Sequence, residues 1–419
     1  MSSPKQPTNY RISVGHDGKA NMDLTFVSEA LDMPAERGYG WARFDFGDRI
    51  GPNERYTIMR KLGWGMHSST WLARDSVKNN FVAIKALTGY MTSLIPTGQC
   101  WEPDALRLVS SPPQSPYCQR YITEFTVPGR VATDGDHLCI VTPVYGGDVK
   151  ALVYALCREK PRAFPLRLAK RIILHLLRGL AHAHSRRVIH TDLKHDNIFF
   201  TTEMGTEDIE RWIAEDPPRH HDPEVSQGTI IHTAVSQPLP MISMEEALRA
   251  TYLIGDFGIA VHSKLHANRV ITVPPLRPPE MFLGGEWDKS ADIWSFGCLA
   301  YELINDRVLF RYQVNKKFNL PETENMLYQM MCFTGEPFRA KQLNVSPLAA
   351  EYFNERCELK LDPEIMDLCI EAQMTVWKVV PENLIDDTGA FLRRCLHLDP
   401  DERATAEELL SDPWLVDAE

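Results

Sequence analysis

The stretch that most restricts this chain is His190-Thr191-Asp192-Leu193-Lys194-His195-Asp196-Asn197. It places a carboxylate, an amine and an amide within six residues. Asp192 can receive the proton of an attacking hydroxyl, and Lys194 can neutralise charge on a phosphoryl group in transfer. The side-chain oxygen of Asn197 can hold a magnesium ion. Such a trio works only on a rigid support. The preceding residues offer one, because Pro165 opens a helical pattern through His184 with Ile172, Leu176 and Leu180 on one stripe. Val188-Ile189 then read as a short strand leading into His190. His182 and His184 lie two apart, share no helix face and read as structural.

Other segments supply what such a loop needs. Arg55 to Leu62 is strand-like, and Leu62-Gly63-Trp64-Gly65-Met66-His67-Ser68-Ser69-Thr70 follows. Two glycines in a hairpin let backbone N–H groups approach phosphates, because no Cβ obstructs them. Ser68 stands where a third glycine would complete the pattern. About twenty residues on, Phe81-Val82-Ala83-Ile84-Lys85 sets a lysine in an apolar strand. Burying that amine is costly unless it meets an anion. The α- and β-phosphates of ATP are suitable anions, and Ala83 lies on the same strand. His137 to Val141 reads as a buried strand ending in Thr142-Pro143-Val144-Tyr145. The carbonyl of Pro143 and the backbone of Tyr145 can bond adenine, with Thr142 at the back of the pocket. Phe199 can floor it.

Leu253-Ile254-Gly255-Asp256-Phe257-Gly258 releases an aspartate from an apolar strand, a second magnesium ligand. For the acidic partner of Lys85, the candidates are Asp104, favoured by the placing of Leu106 and Val109, and Glu102 as the alternate. Glu280 and Arg403 suit a buried ion pair, and Asp292 opens an amphipathic helix in Asp-Ile-Trp-Ser-Phe-Gly.

Composition closes off several classes. The chain has 419 residues, 44% hydrophobic and 24% charged, enough for one large or two smaller domains. No apolar run nears the roughly 18 residues of a membrane span. The start, Met1 to Gln6, is polar and without a signal-peptide core, so a cytoplasmic or nuclear protein is expected. Nine cysteines without a C-x-x-C pair read as free thiols. A net charge of −11 disfavours nonspecific nucleic-acid binding. His220-His221 lack companion ligands for zinc.

Taken in order, G-x-G, VAIK, HxDLKxxN, DFG, Pro278-Pro279-Glu280 and DIWSFG resemble the eukaryotic protein kinases over about residues 56–415. Finer features are similar to the serine/arginine-rich protein-specific kinases of fungal type. These are Lys61-Leu62-Gly63-Trp64-Gly65 with Ser69 to Ala73, His190-Thr191-Asp192 in place of H-R-D, and a long insertion before DFG. Glu351 to Leu359 is similar to a segment of that family's C-lobe insert. The resemblance implies an α+β, bilobal fold with a small β-rich N-lobe and a larger helical C-lobe. It divides the chain into an N-terminal arm at 1–55, N-lobe and hinge at 56–145, and C-lobe at 146–419 with an insertion at about 203–250. It also implies a monomeric serine/threonine kinase using ATP and Mg2+ on protein substrates such as arginine/serine-rich splicing factors, bound in an acidic groove, with no direct nucleic-acid or membrane partner.

Some positions depart from the pattern. The usual helix glutamate is replaced, and Val273 stands seven residues before Glu280, where a threonine is common; Thr272 is one position off. Thr191 carries no charge where an arginine would read a phosphorylated loop, so activity without loop phosphorylation is expected. A pseudokinase scaffold would account for Ser68 and the replaced glutamate. It does not account for Lys85, Asp192, Asn197 and Asp256 standing together. A small-molecule phosphotransferase would share the octapeptide but leaves Pro-Pro-Glu, DIWSFG and Arg403 without a reason.

Overall fold

Alternating apolar residues between Tyr56 and Val141 build an antiparallel sheet of six strands in the computed structural model. The model describes residues 10–14, 20–24, 28–157, 163–226, 229–264 and 271–419. The chain divides into two units. The first comprises 1–100, 122–144 and 203–239; the second comprises 101–121, 145–202 and 240–419.

In the first unit the strands lie in the order Arg49–Ile50, Tyr56–Gly65, Ser68–Asp75, Asn80–Leu87, Asp136–Thr142 and Thr123–Pro128. Both faces are covered. Tyr56, Ile58, Trp71, Ala73, Val82, Ile84 and Val141 pack on one side, together with Ala42 and Ala234. Leu72 and Phe81, one residue out of phase, face the other side and meet Ile209, Trp212 and Ile213. Those three come from the helix Thr206–Glu215, where they recur at i, i+3 and i+4. Residues 203–239, expected as an insertion within the C-lobe, therefore belong to the unit that holds the sheet. The cause is their apolar stripe, which finds the exposed side of Leu72 and Phe81.

The region expected as an N-terminal arm contains a strand pair, Tyr10–Val14 with Ala20–Leu24. Residues 28–50 fold onto the sheet's unit. Arg43 pairs with the buried Asp134, and Gly89 N–H donates to Gly40 O. Residues 15–19 and 25–27 lie outside the described residues.

In the second unit the helix Leu166–Ser185 buries Ile172, Ile173, Leu176, Leu177 and Leu180. A small antiparallel sheet orders Tyr252–Ile254, Ile198–Phe200 and Gly147–Asp148. Val188–Ile189 pairs with Val261–His262. The helix Ser290–Asn305 is buried over nearly its whole length. Among the described residues, no helix is long and apolar enough to cross a membrane. All nine cysteines are free.

Candidate active site

In the first unit, Gly65 pairs with Ser68, so Met66 and His67 form the exposed tip of a two-residue turn. Leu62, Gly63 and Trp64 are half-buried, Ser69 is buried, and Ser68 and Thr70 are half-buried. A Cβ added at Gly63 or Gly65 would meet nothing within 4 Å. The chain's own packing therefore does not require glycine at either position, and the space left suits a close ligand. Strand register sets Lys85 opposite Thr70, and Ala83 opposite both Leu72 and Thr142. Directly opposed residues share a face, so Lys85, Ala83, Thr70 and Thr142 line one side of the sheet. The Thr142 hydroxyl donates to Pro143 O at 3.1 Å, and the second lone pair of that carbonyl remains open to an adenine donor.

Trp41, missed in the sequence, belongs to this loop. Its indole N–H donates to Gly65 O at 3.0 Å, and its ring meets Trp64 edge-on at 6.2 Å. Nothing local signals this, because 24 residues separate donor and acceptor.

In the second unit the catalytic loop hangs from Asp292. That carboxylate accepts from His190 N and Thr191 N, each at 2.8 Å, and bonds His184 Nε2 at 2.9 Å. Burial alone would raise its pKa, but the His184 bond, the neighbouring imidazoles and the Thr191 N–H bring it below the ordinary value. His190 Nδ1 accepts from Asp192 N, so its Nε2 carries the proton and donates to Gly255 O at 2.9 Å. Its ring rests edge-on against Phe257. Thr191 is buried with φ of 69°, and its hydroxyl donates to Ile259 O. A β-branched residue held in that region is strained, a pattern concentrated at functional sites.

The three loop residues converge. Lys194 Nζ lies 2.6 Å from Asp192 Oδ2, and Asn197 Nδ2 donates to Asp192 O and Oδ2 at 2.8 and 2.9 Å. With its amide nitrogen engaged, Asn197 has its side-chain oxygen left for a cation. Asp256 also takes a left-handed backbone, φ 55°, with its N–H held by Gln119 Oε1 at 3.0 Å. One amide oxygen and one carboxylate form an all-oxygen donor set, the kind Mg2+ takes. Gln119 stands 137 residues before Asp256 and has no motif to mark it.

Around these residues, Phe199 stacks on Tyr145 at 5.9 Å, and a Cβ at Gly255 would strike the Phe199 ring at 2.2 Å, so glycine is required there. The Tyr145 hydroxyl accepts from Arg120 N, and burial pushes its pKa up to about 12. Glu280 and Arg403 form a bidentate buried pair at 2.9 and 2.7 Å. His182 bonds Val109 O, and His220 bonds Asp45. His195 Nδ1 lies 3.5 Å from Glu302 Oε2; burial pushes the imidazole down to about 4 and the carboxyl up to about 7.

The two candidate acids for Lys85 separate clearly. The helix begins at Glu102, which is buried, whereas Asp104 is exposed and pairs with Arg107. Burial thus distinguishes the alternate, Glu102, from Asp104. Two residues along a helix turn the side chain by roughly 200°, so only one of the pair can face inward.

The model of the protein kinase domain matches residues 56–209 and 241–415. The chain belongs to the protein kinase family. The gap in the match, 210–240, falls in the segment that joins the sheet's unit. Among curated proteins, the chain is similar to the serine/threonine-protein kinase SRPK of Physarum polycephalum. The two are 26% identical over 86% of each chain. It is also similar to a serine/threonine protein kinase of Aspergillus fumigatus, 29% identical over 94% of this chain and 92% of that one. The protein kinase dsk1 of Schizosaccharomyces pombe is 22% identical over 97% and 88%. A crystal structure of a kinase domain superposes with a TM-score of 0.60 at 21% identity, covering 89% of this chain and 99% of that chain, and supports the fold.

Proposed function

We propose that this kinase transfers the γ-phosphoryl group of ATP to serine or threonine in proteins whose targets are flanked by arginine. The observation that carries the reading is the Asp192 carboxylate held between Lys194 and Asn197. Asp192 orients the substrate hydroxyl and takes its proton as the oxygen attacks phosphorus. Lys194 offsets charge on the transferring group, and Lys85 with the 62–70 loop holds the phosphates. Asn197 and Asp256 would hold Mg2+, which supplies charge neutralisation on the phosphate oxygens when bound. Tyr145, Phe199, Thr142 and Pro143 are assigned to adenine. Glu102 is assigned as the acid that orients Lys85, on its burial and its place on the first helical turn.

The arginine preference rests on acids beside the catalytic loop as well as on the names of the relatives. Asp148 pairs across strands with Phe199, and its carboxyl is raised by burial and by the charge of Asp196. Asp196 is exposed and, among the described residues, its one ion pair is with Lys150 at 2.8 Å. A substrate guanidinium can replace that lysine and bind more than one carboxylate at once.

The test is a serine peptide array with and without arginine, read against Asp192→Ala and Asp196→Asn. Asp192→Ala should lose roughly 10²–10⁴ in kcat. Asp196→Asn should lower kcat/KM for arginine-flanked peptides and leave arginine-free ones unchanged. Equal phosphorylation of both peptide sets would remove the arginine reading. Persistent turnover by Asp192→Ala would remove the mechanism. Because Thr191 supplies no charge and is engaged with Ile259, phosphatase treatment should leave activity intact.

A further inference from the structure

In an acidic chain, 56 Asp and Glu against 45 Lys and Arg, cations normally find carboxylates. Arg307 and Arg311 do not. Neither has an ion-pair partner among the described residues. Both follow the end of the helix Ser290–Asn305, where Asp306 turns the chain with φ of 53°. They line a cavity of about 280 Å³ closed by Tyr301, Gln329, Phe333 and Trp377, and no carboxylate is among its lining residues. The Arg307 guanidinium lies 3.7 Å from the ring centroid of Trp377. Its Nε is fully buried and has no hydrogen-bond partner among the described residues. Gln329 has its amide committed to the backbone of Arg311, donating to its carbonyl and accepting from its N–H, both at 2.9 Å. That fixes the base of the second arginine. Tyr301, at 2% exposure, is the floor; burial pushes its hydroxyl up to about 12, against the nearby charges of both arginines.

We infer that this cavity binds an oxyanion carried on a peptide, a carboxylate or phosphoryl side chain next to an apolar residue. Two guanidiniums facing one space without an acid between them are matched to a planar or tetrahedral oxyanion. The stack on Trp377 orients one fork in advance, so little freedom is lost when the ligand arrives. Phe333 and Trp377 provide apolar wall that a bare ion cannot use. The volume is below the usual range for drug-sized ligands and suits one or two residues of a peptide. The partner is therefore a protein with an exposed acidic or phosphorylated segment, of opposite charge to the arginine-flanked target proposed above.

The full-length chain would be titrated with four short labelled peptides that share a leucine beside Glu, phosphoserine, Gln or Lys. Fluorescence anisotropy is the readout, and inorganic phosphate is the competitor. The Glu or phosphoserine peptide, or both, should bind at least tenfold more tightly than the Gln peptide, with the preference shrinking as salt rises. Whichever leads identifies the oxyanion. Arg307→Gln with Arg311→Gln should abolish the preference, and Arg307→Lys should weaken it about threefold or more. Turnover on a minimal serine peptide should stay the same. Should the double variant melt early, Arg311→Gln alone, at an exposed position, should still cost three- to tenfold. Equal binding of the acidic and Gln peptides overturns the inference, as does retained preference in a double variant that melts like the parent. Inorganic phosphate binding as tightly as the best peptide overturns the peptide part, leaving a site for an adventitious ion only.

Discussion

Arg60 and Lys61 are neighbours on one strand, both with almost no exposed surface, yet their replacement should shift stability in opposite directions. Lys61 Nζ is paired with Glu29, which is 3% exposed, and also donates to Ala234 O at 3.2 Å. Replacing it with methionine leaves the Glu29 carboxylate buried and alone. Removing one member of a buried pair costs about 3–5 kcal/mol, or a fall in melting temperature of roughly 6–20 °C at about 2–4 °C per kcal/mol. Arg60 differs. Its Nη1 reaches Asp216 at 3.4 Å, while Nε and Nη2 are buried without partners among the described residues. Burial accordingly lowers its pKa. Each unmade donor costs about 1–3 kcal/mol. Against that stands the contact with the Trp212 ring at 3.9 Å, about 1–2 kcal/mol. Asp216 is part-exposed and keeps Arg219 and Gln237, so nothing is stranded when Arg60 leaves. Arg60→Met should therefore stabilise by about 1–2 kcal/mol and raise the melting temperature by roughly 2–8 °C. Differential scanning fluorimetry on both single variants, with Lys61→Met/Glu29→Leu as the rescue, reads the contrast. If Arg60→Met fell as far as Lys61→Met, the unmade donors would have to be satisfied and the argument would fail.

Three further outcomes follow from the same reasoning. Trp41→Phe keeps the ring against Trp64 but deletes the bond to Gly65 O; about 1 kcal/mol lost from the loop should raise KM for ATP three- to tenfold, with kcat nearly unchanged in steady-state assays. The Arg55 hydrogen bonds hold the Asp75 carboxyl below its ordinary value near 3.8. The folded protein thus binds fewer protons than the unfolded one. That stability is complete above about pH 4 and is lost as pH falls through the folded value, so Asp75→Asn should flatten the acid limb of a melting-versus-pH curve. Glu280→Gln should cost about 3–5 kcal/mol by leaving the Arg403 guanidinium uncompensated, seen as an early thermal transition, whereas Glu280→Leu with Arg403→Met should recover most of it.

The residues proposed for the chemistry stood out in the sequence because each motif is short. Asp192, Lys194 and Asn197 lie within six residues, and their hydrogen bonds close on one another. Register explains Lys85 in the same way, since alternation along Asn80–Leu87 already puts it with Ala83. What stayed hidden depends on distance along the chain or on a helix phase. Asp104 and Glu102 are equally acidic as letters, and only the helix start decides which is buried. Gln119 and Trp41 act through single bonds to residues far along the chain. The destination of 203–239 had a signal, the Ile209, Trp212 and Ile213 stripe, but a stripe names no partner. Only the empty side of Leu72 and Phe81 does.

A unit assembled from three separate stretches of chain has a consequence for its birth on the ribosome. When residue 144 emerges, all six strands of the sheet exist, but the side bearing Leu72 and Phe81 is bare, and Arg60 and Lys61 still lack Asp216 and Ala234. At 5–20 residues per second, the wait for residue 239 is roughly 5–20 s. During that interval a nascent sheet presents an apolar surface to solvent or to a chaperone. Variants that weaken the Thr206–Glu215 helix should therefore lower the yield of folded protein well before they lower the activity of the molecules that do fold.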